Sequence, residues 1–154
     1  MTRGELQDYV YRHIPIVQVN NLVIHGVDNH SVSVAGSFSD HVNHRGSVFG
    51  GTIGTAMTVA AWAQVELLMN DIEPDADIVV ARQTVQFVLP VVEDFVATSR
   101  EPEVDAVSRF TAAYRAHGKA KLTVNAELRC AGDIEPRALF SGQFVVRRRT
   151  PGRA

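Results

Sequence analysis

The chain has 154 residues, 45% of them hydrophobic and 21% charged, which is typical of a single globular domain spanning 1–154. A formal net charge of -2 and an aromatic content of 7% argue against a nucleic-acid partner. The lone Cys130 excludes an internal disulfide, and the polar opening lacks the apolar run of a signal peptide, so the sequence predicts a cytoplasmic protein.

The first elements are a helix and two strands. Residues 5–13 carry apolar side chains at helical spacing and Pro15 follows them, which predicts a short helix that docks on the core. Two strand-like segments come next, at about 17–27 and 30–38. The second alternates apolar residues with serines and has Phe38 on its apolar face, which is typical of a half-buried strand.

A polar, glycine-rich loop at 40–51 leads directly into a helix at about 52–69. This helix is apolar on almost every face, so it needs to be surrounded by protein. The stretch is long enough to raise the question of a membrane, but its threonines, Gln64 and Glu66 indicate a buried helix and no membrane partner.

Four extended segments complete the chain, at 78–89, 94–100, 119–130 and 138–146. The third alternates strictly, and the first has five apolar residues in phase, namely Val79, Ala81, Val85, Phe87 and Leu89. Residues 103–116 have helical spacing and form either an amphipathic helix or an ordered connection. A disordered tail is expected from about 148. The predicted class is therefore α+β, with an antiparallel sheet wrapped around one long central helix.

Four segments of the sequence resemble a known family: 42–51 (VNHRGSVFGG), 77–81 (DIVVA), 87–91 (FVLPV) and 118–122 (GKAKL). Together they resemble the thioesterase-like hotdog domain at the C-terminus of YiiD-type proteins. The resemblance implies a hotdog fold in a double-hotdog dimer, or a dimer of dimers. It also implies acyl-thioester sites at the dimer interface. No cofactor is expected, and no spacing of His, Cys and acidic residues in the sequence predicts a metal site. The acetyltransferase domain that can precede this domain in the family is not part of the chain.

The loop offers the charge stabilisation that thioester hydrolysis requires. We expect backbone N–H groups around Gly50, Gly51 and Thr52 to point outward at the start of the helix, where they would stabilise the oxyanion of a tetrahedral intermediate. The alternative is that the two glycines only permit a tight turn and close helix packing. Phe49 and Thr52 are expected to contact the substrate.

The polar residues before the glycines supply further candidates. In many hotdog thioesterases an Asn at the position of Asn43 orients the water or the substrate, although a loop Asn often bonds its own turn instead. His44 is a candidate general base or carbonyl donor, and His41 is the second choice. Other single histidines are more simply structural.

The sequence lacks the helix carboxylate that several better-known hotdog thioesterases have. Several of those enzymes have a carboxylate about two turns into the helix, whereas 55–59 contains none, and Glu66 lies roughly 22 Å beyond Gly51. The remaining candidates for the general base are His44, Asp40 or a partner-subunit residue on the first strand after the helix, such as Arg82, Gln83 or Thr84. Thr58 could position a water without being a base. Lys119 could meet the phosphates of coenzyme A.

Three functions are compatible with these residues. The favoured one is a thioesterase acting on acyl-CoA or on an acyl-carrier thioester, with catalysis assigned to Asn43, His44, Gly50, Gly51 and Thr58. The first alternative is a non-catalytic module that binds or senses an acyl thioester, which the missing helix acid favours. A dehydratase would require a helix acid opposite a loop histidine, and the presence of Thr55 and Thr58 in the helix argues against this function. Cys130 continues an apolar face and is expected to be a buried, inert thiol.

Overall fold

The computed structural model describes residues 1–28 and 31–149, and these form five helices and six strands. The strands build one antiparallel sheet in the order β1-β2-β4-β5-β6-β3. In chain order the elements are α1 Arg3–His13, α2 Pro15–Val19, β1 Val23–Val27, β2 Val32–Gly36, α3 Phe38–His41, α4 Gly50–Ile72, β3 Asp77–Phe87, β4 Phe95–Ser99, α5 Val104–His117, β5 Lys119–Cys130 and β6 Ala138–Arg147. The predicted α+β arrangement of a sheet around one long helix is confirmed.

Helix α4 is the centre of the core, as its composition predicts. It is 23 residues long and packs against β2, β3, β4, β5 and β6. The helix exceeds the predicted 52–69 because both glycines belong to its first turn and Asn70 does not end it. It ends at Ile72, two residues before Pro74, where the proline ring disfavours a further helical residue.

Two sequence predictions near the N-terminus were wrong. The strand expected at 17–27 begins only at Val23, because Pro15 occupies the start of the short helix α2, where its missing N–H costs nothing. Phe38 does not continue β2 but begins α3, whose N-cap is Ser37. Residue 30, where the second strand was expected to begin, lies outside the described residues.

Strand β3 forms one edge of the sheet and pairs only with β6 among the described strands. A bulge at Ala81 adds one residue between Val80 and Arg82, so the side chains change phase there. Val80 is opposite the buried Phe144 before the bulge, and Gln83 is opposite Gly142 after it. The prediction of a single apolar face including Val79, Ala81 and Val85 was therefore wrong.

The other edge, β1, is shorter and is covered. Its pairing with β2 is irregular between Ile24 and Gly26. The outward N–H of Ile24 donates to Oε1 of Gln7 in α1, at 2.6 Å. Helix α1, predicted at 5–13, thus occupies a hydrogen-bonding position of this edge.

The predicted alternation of β5 is confirmed, with even-numbered residues from Ala120 to Cys130 on the buried face. The helical alternative at 103–116 is confirmed by α5. Arg148, where the disordered tail was expected to begin, is held in place, because its backbone N–H donates to Gly118 and its side chain donates to Glu73. The rest of the expected tail, at 150–154, lies outside the described residues. No helix within the described ranges is both long and apolar enough to cross a membrane.

Candidate active site

An open groove of about 890 Å³ runs along the junction of α4 and β3. The helix and the strand run in opposite directions, so their contacts follow each other in register. A Cβ at Gly50 would lie 3.3 Å from the Phe87 ring, and one at Gly54 would lie 3.9 Å from Val85. Further along, the contacts are Thr58 Oγ1 to Gln83 Oε1 at 3.0 Å and Trp62 Nε1 to the Ile78 carbonyl oxygen at 3.3 Å.

The groove exists because one face of α4 carries small residues. Positions 50, 54 and 58 are Gly, Gly and Thr at four-residue spacing, so they lie on one helix face. The edge strand β3 leaves the same face uncovered, with Val80 and Phe87 exposed by 41% and 57%. The expectation that protein surrounds α4 on every side therefore fails within one protomer. The groove walls are mostly apolar, with Thr55, Thr58 and Gln83 as the polar side chains, and none of the described residues that line the groove is ionisable.

The helix start presents two free backbone donors at one end of the groove. The N-cap Phe49 has no side chain that could accept a hydrogen bond, and its carbonyl accepts from Thr52 and Ile53 at 3.0 and 3.2 Å. The N–H groups of Gly50 and Gly51 have no acceptor within residues 1–28 and 31–149. They therefore lie at the positive end of the α4 dipole and are free to bind an oxyanion.

Thr52 does not share this position, contrary to the prediction. Its N–H is bonded to Phe49, and the residue is buried on the side of α4 away from the groove. Gly51 has a packing reason to be glycine as well, because a Cβ there would overlap the Phe49 ring. The Phe49 side chain is 60% exposed, so this ring is free to rotate away.

The loop carrying Asn43 and His44 projects away from the two glycines. The Phe49 N–H donates to the His41 carbonyl at 2.8 Å, and the Asn43 N–H donates to the Ser47 carbonyl at 2.8 Å. These two hydrogen bonds make residues 41–49 a narrow hairpin. Asn43 is two extended residues beyond His41, which places it about 7 Å from the helix start at about 3.3 Å per residue. The structure does not bring Asn43 or His44 into contact with Gly50 and Gly51.

The Asn43 side chain is used by its own turn. Its Oδ1 accepts from the Arg45 N–H at 2.8 Å, and its Nδ2 donates to Ser47 Oγ at 3.2 Å. This is the turn-forming alternative that the sequence left open. His44 at the tip is exposed and has no hydrogen-bond partner in the described part of the chain.

His41 is a structural residue within the protomer. It is 7% exposed, and its Nδ1 and Nε2 lie 2.6 Å from the carbonyl oxygens of Ser37 and Asn20. Since both ring nitrogens face backbone carbonyls, neither is directed at the groove. The side chain fixes α3 to the segment after α2.

The candidate site residues on strand β3 lie on two different faces of the sheet. Gln83 faces α4 and meets Thr58, whose single hydroxyl hydrogen serves either the Gln83 amide or the Gly54 carbonyl, which is 2.7 Å away. Arg82 and Thr84 lie on either side of Gln83 in the strand, so their side chains point to the opposite face of the sheet. Within one chain they do not line the groove with Thr58.

Lys119 and the acids are also separate from the helix start. Lys119 begins β5 opposite Arg147, which pairs with Asp77, so it lies at the far end of β3 from Phe87, on the order of 30 Å away. Asp40 is exposed and accepts from Asn21 at 3.4 Å.

Glu66 is buried near Tyr9 at the far end of α4. Burial raises the pKa of Glu66, although the Tyr9 hydroxyl beside it acts in the other direction. Burial, with the Glu66 contact, raises the pKa of Tyr9 to about 12. The acid is therefore remote from the two glycines, as the sequence predicts.

Sequence reasoning missed the residues that form the groove walls. Gly54 and Trp62 were not singled out as site residues, and Val85 and Phe87 were assigned only to a strand. One signal was present: glycines at 50 and 54 and a threonine at 58 follow a four-residue spacing, which places three small residues on one helix face. The strand side carried no such signal, because the bulge at Ala81 changes the phase of the inward side chains.

An antiparallel sheet around one long helix, with a groove that ends at free helix N–H groups, is the arrangement that the resemblance to a thioesterase-like domain predicts. The comparison with protein families shows which family the chain belongs to. Residues 3–148 match the family YiiD_C, described as "Putative thioesterase (yiiD_Cterm)". The chain belongs to this family and is thereby classed with the thioester hydrolases.

Solved structures have the same fold. A protein of unknown function from Chlorobaculum tepidum has a TM-score of 0.87 and 23% identity, covering 96% of this chain and 94% of that one. A putative thioesterase from Shewanella oneidensis has a TM-score of 0.81 and 24% identity, covering 95% and 97%. A thioesterase from Haemophilus influenzae has a TM-score of 0.73 and 11% identity, covering 95% and 90%. A search of curated proteins found no significant match.

Proposed function

We propose that this protein hydrolyses an acyl-CoA or acyl-carrier thioester at the groove between α4 and β3. The observation that carries the proposal is the pair of free N–H groups of Gly50 and Gly51 at one end of an apolar groove. A thioester is an apolar chain joined to a carbonyl that becomes an oxyanion on attack. The groove and the two donors match these two parts.

The reaction requires little beyond this arrangement and a base. Water attacks the thioester carbonyl, and the two N–H groups stabilise the negative charge on oxygen in the tetrahedral intermediate. The C–S bond then breaks, releasing the carboxylic acid and the thiol. Thr58 and the Gln83 amide lie further along the groove, where they are available to hydrogen-bond a water or a polar part of the substrate.

The base has to come from outside the groove walls of one protomer. None of the described lining residues is ionisable, which leaves the loop residues His44 and Asp40 or a second subunit. The roles of Asn43, Phe49 and Lys119 in substrate contact belong to the same proposal. Phe49 lies beside Gly51 in the same chain, whereas Asn43 and Lys119 can contact the substrate only where they meet the groove of another chain.

The open edge of β3 supports a dimer of that kind. β3 is eleven residues long and pairs with no described strand on its side away from β6, and its Val79, Val80 and Phe87 are exposed by 46%, 41% and 57%. A long apolar edge is normally covered, since it otherwise promotes aggregation. Pairing two β3 strands would join both sheets in a double hotdog and would cover the groove; a dimer of dimers could form from the same unit.

The proposal is tested by thiol release from a panel of acyl-CoA and acyl-carrier thioesters. We expect hydrolysis of apolar acyl chains, with a rate that depends on chain length because the groove contacts the chain. The control is the same panel as oxygen esters of matched length, which tests whether the thiol leaving group is required. Absence of thiol release from every thioester would contradict the proposed hydrolase activity.

One observation favours a second function, the binding or sensing of an acyl thioester without turnover. The groove walls contain no ionisable residue, so binding does not depend on a base whereas hydrolysis does. Calorimetric binding of the same thioesters without thiol release would identify such a module. The localisation expected from the sequence, the cytoplasm, fits either function, since both use intracellular thioesters.

The dimer is tested by adding a charge to each edge of the sheet. Val79→Lys on β3 should shift the chain from dimer to monomer in sedimentation velocity, because an edge lysine has to lose water for strands to pair. The matched control is Val23→Lys on β1, where the native side chain is 42% exposed compared with 46% for Val79. A monomeric wild type at micromolar concentration, or a dimer unaffected by Val79→Lys, would contradict pairing through β3.

A further inference from the structure

The chain's single tryptophan, Trp62, lines the groove at the end away from Gly50 and Gly51. Its indole N–H donates to the Ile78 carbonyl of β3 at 3.3 Å, so the ring spans the junction of helix and strand. Tyr9 of α1 stacks on it, with ring centroids 6.2 Å apart and planes inclined by 12°. A hydrogen bond on one side and an aromatic ring on the other hold the indole in this position.

The region behind Trp62 does not suit an apolar chain. Glu66 follows one helical turn later on the same face of α4 and is 7% exposed, with the Tyr9 hydroxyl beside it. A methylene chain passing the indole would have to displace the surroundings of a buried carboxyl group. Up to Trp62 the groove is mostly apolar, with Thr55, Thr58 and Gln83 as its polar side chains, and beyond Trp62 lies a buried carboxyl group.

The distance from the glycines to Trp62 sets a length. Gly51 and Trp62 are 62 − 51 = 11 residues apart on one helix, which at about 1.5 Å per residue is roughly 16 Å. An extended hydrocarbon advances about 1.25 Å per carbon, from C–C bonds of about 1.5 Å at tetrahedral angles. The span corresponds to roughly 12 to 14 carbons.

We propose that Trp62 is the end wall of the acyl groove and limits the substrate to acyl chains of roughly 12 to 14 carbons. This inference rests on the proposed function for its carbonyl position at Gly50 and Gly51. Shorter chains leave the indole in contact with water, chains of the limiting length contact it, and longer chains are excluded or bend out of the groove.

Tryptophan fluorescence tests the wall without catalysis, because all emission comes from Trp62. The probes are 2-oxoalkyl-CoA thioethers with saturated chains from about 4 to 18 carbons, which retain the carbonyl but have no scissile thioester bond. We expect a blue shift of emission only for bound chains of about 10 carbons or more, as methylenes replace water at the indole. Equal shifts for short and long chains, or none for a bound long chain, would overturn the proposal.

Two substitutions then test the limit on turnover. Trp62→Ala should move the optimum of kcat/KM upward by about two to four carbons, because the groove lengthens by the width of the ring. Trp62→Phe retains an aromatic wall and should keep the optimum within about two carbons of the wild type. An unchanged profile in Trp62→Ala, with turnover present, refutes the wall.

The outcomes separate the two proposals. If wild type hydrolyses no thioester, the proposed function fails, while the emission of wild-type Trp62 still tests whether a chain of limiting length reaches the indole. If Trp62→Ala does not fold, the same emission series on the wild type decides. Hydrolysis with a length optimum near 4 carbons would retain the enzyme and refute the wall.

Discussion

Gly50→Pro should lower kcat for thioester hydrolysis by about a hundred- to a thousandfold, the usual cost of removing one oxyanion donor. Proline removes the Gly50 N–H and nothing else of the helix, because that group has no acceptor in the described residues. Gly50 is the first residue of α4, where proline is well tolerated, and Phe49 before it has φ -59° and ψ 130°, a conformation that a following proline favours.

The matched control is Gly50→Ala, which adds a Cβ but keeps the N–H. In both variants that Cβ would lie 3.3 Å from the exposed Phe87 ring, so this contact is shared, and the variants differ in the N–H that proline replaces with a ring carbon. Thiol release measures kcat, and thermal melting should place both variants within a few degrees of the wild type. Equal kcat values for the proline and alanine variants would remove the Gly50 N–H from the oxyanion site.

Gly54→Leu should abolish turnover of long acyl chains, by about a hundredfold or more, and leave short chains much less affected. Gly54 is in the middle of the groove, and the described atom nearest to a Cβ there is Cγ2 of Val85 at 3.9 Å. A leucine therefore has room to form but fills the path of the chain. Acetyl-CoA ends before this point and still reaches Gly50 and Gly51.

Gly54→Ala serves as the control for the fold. It should raise the melting temperature by about 3 °C, because alanine is about 1 kcal/mol better than glycine inside a helix. Its effect on long chains should be small beside that of leucine. If Gly54→Leu lowered the hydrolysis of acetyl-CoA as strongly as that of long thioesters, the acyl chain would not follow the α4 face.

The sequence correctly predicted the elements in which the pattern of polar and apolar side chains repeats without interruption. β5 alternates strictly because one face is buried and the other is wet, and α4 is apolar on nearly all sides because five strands pack around it. The prediction of one apolar face on β3 was wrong because a single extra residue at Ala81 inverts the phase of the side chains, and an alternating pattern cannot reveal a bulge. The helix α2 was missed because five residues beginning with Pro15 are too few for a periodic signal.

The candidate site was predicted only where backbone chemistry decides it. The glycines at 50 and 51 could be recognised because a motif places them at a helix start. Thr52 was assigned wrongly because its N–H bonds back to Phe49, a detail of the first turn. The placement of Asn43 depends on a hairpin of five residues, and that of Lys119 depends on strand order, and neither is encoded in local spacing.

The hydrogen bond between Gln7 and β1 bears on the kind of assembly that the chain can form. A sheet with two open edges can add copies at both ends, and head-to-tail addition continues into a fibre. Here one outward N–H of the irregular β1 edge, that of Ile24, is occupied by Gln7, so β3 is the longer and less obstructed edge among the described strands. In the proposed dimer, two copies joined through β3 would be related by a twofold axis and would leave only the β1 edges at the two ends of the joined sheet. α1 therefore opposes further growth at those ends, which favours a closed dimer over a fibre built through the sheet.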